Sequence, residues 1–391
     1  MVTMQTADNA LKSYYLDAVS EALDMKTNPL FAQIKKSTAD VLGKDVRKLV
    51  RYGVNGGIGA GTETGSLPTA GGNNYVQFVS TLKNLYGTIE ISDKAIRASA
   101  NNEGAFVNLL NDEMSALVRS SSFNFGRMLY GDGSGKLCSV VSVGSNNAIT
   151  MDSVTAVAEG MIVDFFTADG ALITGVTGRV VTAVDRENKI VTVSGTTISS
   201  STVAVGSYIT LQHSKDCEIT GLGALFSDSG TLYGVDREEH PWMKPYSRGD
   251  VGYIDDSAIQ LAIDKIEENS GSKINFIVCS WGVKRALAAY FNQYKTYTPS
   301  MEIQGGYKAL SFGGIPVVAD RFCPEGTMYL LNTDDFCLHQ LCDWQWLEDE
   351  DGKILRQVAG KPVYTATLVK YAELICTRPY GQGVLTGIDE G

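Results

Sequence analysis

Two glycine-rich stretches contain the residue types of a phosphate-binding loop, in which backbone N–H groups surround phosphate oxygens. The stretch from Gly53 to Gly72 has no Gly-x-Gly-x-x-Gly spacing, and no Lys-Ser or Lys-Thr pair follows it. The second stretch, GDGSGK from Gly131 to Lys136, is one residue shorter than a Walker motif, and Leu137 stands where Ser or Thr is needed. It also follows a predicted helix, whereas a phosphate loop precedes one. The sequence therefore predicts no nucleotide cofactor.

Cys337, His339 and Cys342, with Cys323 as a fourth ligand, have the residue types of a metal site. On a strand, Cys337 and His339 share one face while Cys342 lies on the other. We therefore favour buried thiols over a zinc site. The acidic turn at 348–352 lacks the spacing and the distal Glu of a calcium loop. The sequence predicts a solvated turn there and no metal.

Cys279 and Ser280 are the candidates for nucleophilic catalysis, which also needs a histidine base and an orienting acid. The chain has three histidines, His213, His240 and His339, and none lies in a recognisable active-site motif. The sequence therefore predicts no catalytic residues and a protein that is not an enzyme.

The composition is that of a folded, soluble protein, with 391 residues, 44% hydrophobic and 20% charged. No apolar run is long enough to cross a bilayer, and the first ten residues are too polar for a secretory signal. Seven scattered cysteines are typical of reduced thiols in a cytosol. The net charge of −11 argues against sequence-specific DNA binding.

One long helix is predicted from Asn102 to Tyr130. It has no proline, and its apolar residues recur three or four positions apart. Ser120–Ser122 interrupt this stripe with small side chains, which indicates either a plain surface or a close crossing with another strand or subunit. The apolar residues are Phe106, Leu110, Met114, Leu117 and Phe125.

The segments before this helix are too short to form a core of their own, so we expect them to pack on another surface. Residues 10–24 predict a short amphipathic helix, and a second helix is predicted from Asn28-Pro29. Two strand-like runs, Val46–Tyr52 and Tyr75–Ser92, flank the glycine-rich stretch and predict a hairpin with a long flexible tip. Such a hairpin cannot bury both faces by itself. A short helix is predicted at 94–98.

The rest of the chain changes pattern twice. Short Val/Ile/Thr runs between about 137 and 216, separated by turns, predict a small all-β barrel or sandwich. Residues 217–335 contain βα patterns with helix caps at Asp255 or Asp256 and at Ser280, and an exposed-looking acidic-aromatic run at 236–246. Two long strand-like runs at 336–347 and 354–376 predict a final hairpin.

The order of these parts resembles that of the major capsid proteins of tailed bacteriophages, the Hong Kong 97 fold. That fold has an N-terminal arm, an extended hairpin called the E-loop, a peripheral domain with a long spine helix, and an axial domain. The strings that carry the resemblance are GTETGSLP (61–68), TIEISDKAI (88–96), RMLYGDGSGKL (127–137), ITGLGALF (219–226) and FGGIPVVAD (312–320).

The resemblance implies an α+β fold. Its parts would be an arm at 1–44, an E-loop at 45–98, a peripheral domain at 99–136 and 336–376, an inserted β domain at 137–216, and an axial domain at 217–335 and 377–391. The insertion is a departure whose role the resemblance leaves open. The arm lacks a long helical segment that could act as a built-in scaffold, which implies a separate scaffolding protein or none.

The function implied is that of a structural subunit that assembles into hexamers and pentamers of an icosahedral shell around double-stranded DNA. Portal, scaffolding and decoration proteins are the expected partners, and the virion capsid, built in the host cytoplasm, is the expected location. An encapsulin-type compartment of the same fold, or a monomeric β-rich enzyme or binding protein, are the alternatives. The expected inter-subunit contacts of the E-loop and arm are Arg47, Lys48, Arg51, Gly56, Gly57, Gly59, Gly61, Glu63 with its neighbour Thr64, and Tyr75.

Overall fold

The computed structural model describes residues 28–95, 103–294, 300–303, 307–348 and 352–391. The helix predicted at 10–24 and most of the one predicted at 94–98 lie outside these residues. Within them, no helix is both long and apolar enough to cross a membrane.

Within residues 28–95 and 103–130, the structure contains five strands and one long helix, α1 (Glu103–Met128). The predicted helix at Asn28 is wrong beyond a single 3-10 turn, Phe31–Gln33, after which the chain becomes extended. Leu30, Phe31 and Ile34 are nevertheless buried, because this segment lies on the core. The strands are β1 (Lys35–Ser37), β2 (Val41–Leu42), β3 (Asp45–Tyr52), β4 (Asn74–Thr81) and β5 (Lys83–Ser92).

The second predicted run of the hairpin, Tyr75–Ser92, is two strands in two different sheets. β4 pairs with β3, and β5 pairs with a strand near the C-terminus. The break falls at Leu82, whose backbone N–H donates to the Lys44 carbonyl at 2.8 Å. The prediction of one continuous strand was therefore wrong.

A small closed barrel follows α1, and the sequence prediction of such a unit is confirmed. Its strand order is β10-β7-β6-β11-β8-β9, with its own apolar core. The strands are β6 (Lys136–Val143), β7 (Ala148–Met151), β8 (Ile162–Phe166), β9 (Arg179–Asp185), β10 (Ile190–Val193) and β11 (Tyr208–Leu211).

A seven-stranded mixed sheet forms after the barrel. Its order, by residue range, is 246–248, 383–385, 328–331, 276–279, 315–319, 307–312 and 300–303. The predicted caps of its two long helices are confirmed. Ala258 N donates to Asp255 Oδ1 at 2.7 Å, and Val283 N donates to Ser280 Oγ at 3.3 Å. The helices and strands between residues 222 and 331, of which β12 and β13 are not part of this sheet, are α2 (Leu222–Leu225), β12 (Thr231–Leu232), β13 (Val235–Asp236), β14 (Tyr246–Arg248), α3 (Asp256–Ser270), β15 (Phe276–Cys279), α4 (Trp281–Tyr294), β16 (Ser300–Ile303), β17 (Tyr307–Phe312), β18 (Ile315–Ala319) and β19 (Met328–Leu331).

The last strands build the sheet on which α1 lies. β20 (Phe336–Trp346) and β22 (Val363–Cys376) are antiparallel, β1 is parallel to β20, and β5 pairs with the other side of β22 across ten positions. The predicted run at 354–376 is interrupted, with the short β21 (Arg356–Gln357) folding back on β22. β23 (Gly383–Leu385) returns to the seven-stranded sheet.

Candidate assembly surfaces

The hairpin of β3 and β4 has two unlike faces. The strands pair in register from Asp45↔Thr81 to Tyr52↔Asn74, so alternate residues point to opposite sides. Val46 and Phe78 on the inner face are fully buried in the main core. The outer face has no such cover among the described residues.

An aromatic stack fixes the inner face to the rest of the molecule. Trp242 stacks on Tyr52, with ring centroids 4.7 Å apart and an interplanar angle of 8°, and on Phe78, at 6.3 Å and 7°. The backbone N–H of Val79 also donates to the carbonyl of Tyr233 at 2.9 Å. The expectation of an exposed run at 236–246 is confirmed for the acids Asp236, Glu238 and Glu239. It is wrong for Arg237, which is 1% exposed, and for Trp242, which is half-buried.

The outer face and tip expose large apolar side chains. Leu49 is 63% exposed and Tyr75 is 55% exposed, and the register Leu49↔Gln77 and Arg51↔Tyr75 places both on the same side. In the tip, Ile58 is 79% exposed and Leu67 is 90% exposed. Large exposed apolar patches are typical of surfaces that contact another macromolecule, which makes this face a candidate assembly surface.

The predicted cationic contacts divide between the two faces. Arg47 and Arg51 are exposed on the outer face, and Arg47 lies 3.8 Å from Asp45. Lys48 lies on the inner side, and its Nζ forms a 2.6 Å ion pair with Asp40 of the same chain. The structure thus brings Arg47, Arg51 and Tyr75 together but gives Lys48 a partner within the chain.

The glycines of the tip allow its two arms to touch. A Cβ on Gly57 would lie 2.8 Å from Gly71 N, and one on Gly59 would lie 3.0 Å from Pro68 Cγ. The arms therefore run side by side, and the chain turns between them, where Gly65 N donates to Thr62 O at 3.1 Å. Gly56, Gly61 and Glu63 are exposed along this tip.

Helix α1 crosses β5 closely at one point. A Cβ on Gly87 would lie 2.9 Å from Leu117 Cδ1 and 3.1 Å from Ser121 Oγ. Of the three predicted serines, Ser120 is exposed while Ser121 and Ser122 are buried. The close-crossing interpretation is therefore confirmed for Ser121, and the partner is a strand of the same chain.

The predicted apolar stripe of the helix faces the sheet where its side chains are described. Met114 and Phe125 are buried and Leu117 is half-buried, whereas the side chains of Phe106 and Leu110 lie outside the described part. Phe125 makes an edge contact with Phe31 at 4.9 Å, so the N-terminal segment covers the end of the helix.

Several ionisable groups are buried beneath these surfaces. Lys370 is fully buried, and its Nζ donates to Gln340 Oε1 at 3.0 Å and to Asp343. Burial by itself would raise the pKa of Asp343, but Lys370 outweighs it and lowers that pKa to about 2. Burial raises the pKa of Glu373 to about 7, although Thr220 N donates to its Oε1 at 2.7 Å. Sequence periodicity gave no signal for these groups, because charged residues on a strand read as surface.

The candidate nucleophiles are buried, as are Cys323 and His339 among the candidate metal ligands. The expectation of buried thiols was wrong for Cys337 and Cys342, which are half-buried. Burial raises the pKa of the Cys279 thiol to about 12, and Ser280 Oγ donates to Glu390 Oε1 at 2.5 Å as part of a helix cap. His339 is buried, with Nδ1 3.0 Å from the Ala39 carbonyl. Among the residues that the structure describes, no three His, Cys, Asp or Glu side chains could hold a metal ion together.

Comparison with known proteins gives a match in structure only. No family model matches the sequence. No curated protein matches it either. The capsid asymmetric unit of cyanophage A-1(L) matches with a TM-score of 0.53 at 13% identity, over 94% of this chain and 93% of that one. The chain has the fold of a phage capsid subunit. The predicted resemblance is confirmed at the level of the fold, and identity this low shows nothing finer.

Two further structures are similar with TM-scores below 0.5. The holo-SrpI encapsulin complex from Synechococcus elongatus matches at 0.48 with 8% identity, over 93% of this chain and 89% of that one. The capsid of Myoviridae phage XM1 matches at 0.44 with 11% identity, over 92% and 91%. The assignment of the fold rests on the cyanophage capsid.

Proposed function

We propose that this protein is the major capsid subunit of a tailed bacteriophage, which self-assembles into hexamers and pentamers of an icosahedral shell enclosing double-stranded DNA. The observation that carries the proposal is the β3–β4 hairpin within a capsid fold. One face of the hairpin is fixed by Trp242, while the other face and the tip expose apolar side chains. A neighbouring copy would cover these side chains.

The proposed contacts follow from the exposed side of the hairpin. Arg47, Arg51 and Tyr75 meet a neighbouring subunit along the strands, and the glycine-rich tip with Glu63 meets it at the end. Lys48 supports the hairpin through Asp40. The spine helix, through its buried stripe, holds the sheet against which a neighbour's hairpin lies.

The same proposal assigns the other parts of the chain. The arm (1–44), the peripheral domain around α1 and the seven-stranded axial domain form the shell wall, with the inserted barrel (137–216) as a separate module. Net charge of −11 suits a container that does not adhere to its packed DNA. A separate scaffolding protein, a portal and decoration proteins are the proposed partners, and assembly takes place in the host cytoplasm.

Electron microscopy of the purified protein, alone and co-expressed with a scaffold candidate from the neighbouring genes, tests the proposal. Closed shells, or rings of five and six subunits, are expected. A monomer under every condition would overturn it. Shells loaded with an enzyme and no DNA would instead support the encapsulin-type alternative.

Deletion of residues 56–71 provides a sharper test of the hairpin. The deletion joins points that are already close, because Gly57 and Gly71 lie against each other. We expect a folded subunit that does not assemble. The matched control is Val205→Asp, which changes an exposed apolar residue of the barrel (73% exposed) and should leave assembly intact. Normal shells from the deletion would show that the tip is dispensable.

A further inference from the structure

An aromatic cleft lies between the base of the hairpin and the seven-stranded sheet. It has a volume of about 630 Å³, and residues from the hairpin base, the 241–247 segment, the end of α3 and Tyr380 line it. Tyr52, Trp242, Tyr246 and Tyr380 supply four half-buried rings, and Pro241 and Pro245 lie beside them. Aromatic-lined grooves bind short extended segments that contain proline, and aromatic rings supply a large apolar area for contact.

The hairpin tip carries a segment of that chemistry. Leu67 and Pro68 are adjacent, and both are exposed, Leu67 almost completely. Proline restricts the backbone before binding, so such a segment loses less conformational entropy when it docks.

The charges of the two sites are complementary. Lys244 is the one charged residue among those that line the cleft, and it is exposed. Glu63 is the one charged residue between Gly53 and Asn73, and it lies four residues from Leu67. An apolar contact at Leu67 would therefore bring opposite charges near each other.

Leu67 of the tip does not occupy the cleft of its own chain, because it is 90% exposed and is not among the residues that line the cleft. Val54, at the start of the tip, lines the cleft, but the arms then run together through the Gly57–Gly71 and Gly59–Pro68 contacts before the chain turns. Leu67 is thus carried to the far end of a two-stranded extension. A tip that docks in this cleft would therefore come from another copy of the chain.

We propose that Leu67-Pro68 of one subunit docks in the Tyr52–Trp242–Tyr246–Tyr380 cleft of a second copy, with Glu63 facing Lys244. The inference rests on the proposed shell function and names the receiving site on the partner. Because tip and cleft are different surfaces of the same chain, each copy both donates and receives, so the contact propagates from subunit to subunit. The aromatic stack that holds the hairpin also forms one wall of the cleft, which couples docking of a neighbour's tip to the position of the receiving hairpin.

Chemical cross-linking between copies tests the docking directly. All proteins carry Cys217→Ser, which removes an exposed thiol. A chain with Ser66→Cys, which keeps Leu67 and places the thiol beside it, and an affinity-tagged chain with Asn269→Cys, at the rim of the cleft, are co-expressed, assembled and treated with a short bismaleimide linker. The expected product is a covalent dimer of one tagged and one untagged chain, at least fivefold above the level from the Cys217→Ser parent. Val205→Cys in place of Asn269→Cys is the matched control and should give the parent level.

The outcomes separate this inference from the proposed function. Shells without the mixed dimer would overturn the docking and leave the shell proposal standing. Failure of every protein to assemble, including the unmodified chain, would overturn both.

A charge exchange gives a second readout without cysteines. Glu63→Lys and Lys244→Glu should each raise the protein concentration needed for assembly at least twofold at low salt. The double variant should return it to the value of the unmodified chain. Additive losses in the double variant would contradict the pairing.

Discussion

Arg127 and Glu218 form a buried, two-pronged ion pair that joins the end of helix α1 to the chain leaving the barrel. Arg127 Nη1 donates to Glu218 Oε2 at 2.9 Å and Nη2 donates to Oε1 at 2.5 Å, while Asn124 Oδ1 accepts two further bonds from the guanidinium group. Both side chains are less than a tenth exposed. The pair fixes the segment that follows the barrel to the helix that lies on the sheet.

Removing one partner of this pair should destabilise the subunit strongly. Arg127→Met leaves the Glu218 carboxylate buried without its counter-charge, which costs about 3–5 kcal/mol of the free energy of unfolding. Urea unfolding of the purified subunit measures the change. Lys265→Met, which breaks the exposed Lys265–Glu268 pair, is the control and should change it by less than about 1 kcal/mol. A double variant, Arg127→Met with Glu218→Leu, should lose less than Arg127→Met alone.

The Gly87 contact should not tolerate a side chain. In Gly87→Ala the new methyl group meets Leu117 and Ser121 of α1, so we expect a loss of about 1–3 kcal/mol in the free energy of unfolding. Combining it with Ser121→Gly, which removes one of the two obstructing groups, should recover part of the loss. Gly72→Ala, at a position with open space around it, is the control. If the Gly87 and Gly72 variants were equally stable, the close contact between α1 and β5 would not limit the size of the side chain at position 87.

Buried Glu373 should make stability fall as pH rises. Its pKa is about 7 in the folded protein, against an ordinary value of 4.5, because burial disfavours the charged form. Between these values the folded state holds a proton that the unfolded chain has released, so the free energy of unfolding decreases with pH through this window and levels off above about 7. The full effect is on the order of 3 kcal/mol.

Glu373→Gln provides the measurement, because the amide stays neutral at every pH. Unfolding from pH 4.5 to 7.5 should show a flatter profile for the variant than for the unmodified protein. Some slope should remain, since burial also raises the pKa of Asp320 to about 6 and acts in the same direction. Identical profiles would contradict the assignment to Glu373.

Trp242 should control how firmly the hairpin lies on the molecule. Trp242→Ala removes the ring that stacks on both Tyr52 and Phe78. Amide hydrogen exchange of residues 45–52 and 74–81 should become faster, while exchange in the barrel stays unchanged. The loss of packing corresponds to about 2–3 kcal/mol. Trp281→Ala, at a tryptophan that is 62% exposed, is the matched control and should leave the hairpin's exchange unaltered.

The sequence alone determined the elements whose signals are local. Residues 102–130 lack proline and repeat apolar side chains at helical spacing, and the helix observed is Glu103–Met128. Asp255 and Gly271 begin and end α3 by side-chain capping and a left-handed residue with φ of 65°. Alternating residues and turns predicted that the barrel is a unit of short strands, but not its strand order, since β11 pairs with β6 and β8 and β10 pairs with β7.

Tertiary structure decided everything that depends on what lies opposite a residue. The buried side chains are at even positions up to Leu82 (Phe78, Leu82) and at odd positions in β5 (Leu85, Ile89). Only the pairing of β5 with β22 shows that β4 and β5 belong to different sheets. Residues 242 and 52 are 190 positions apart, so no local pattern could predict their stack. Sequence periodicity reports which side of an element is apolar. It contains no information on the partner that buries that side, and the partners are what define the hairpin's fixed face and its open one.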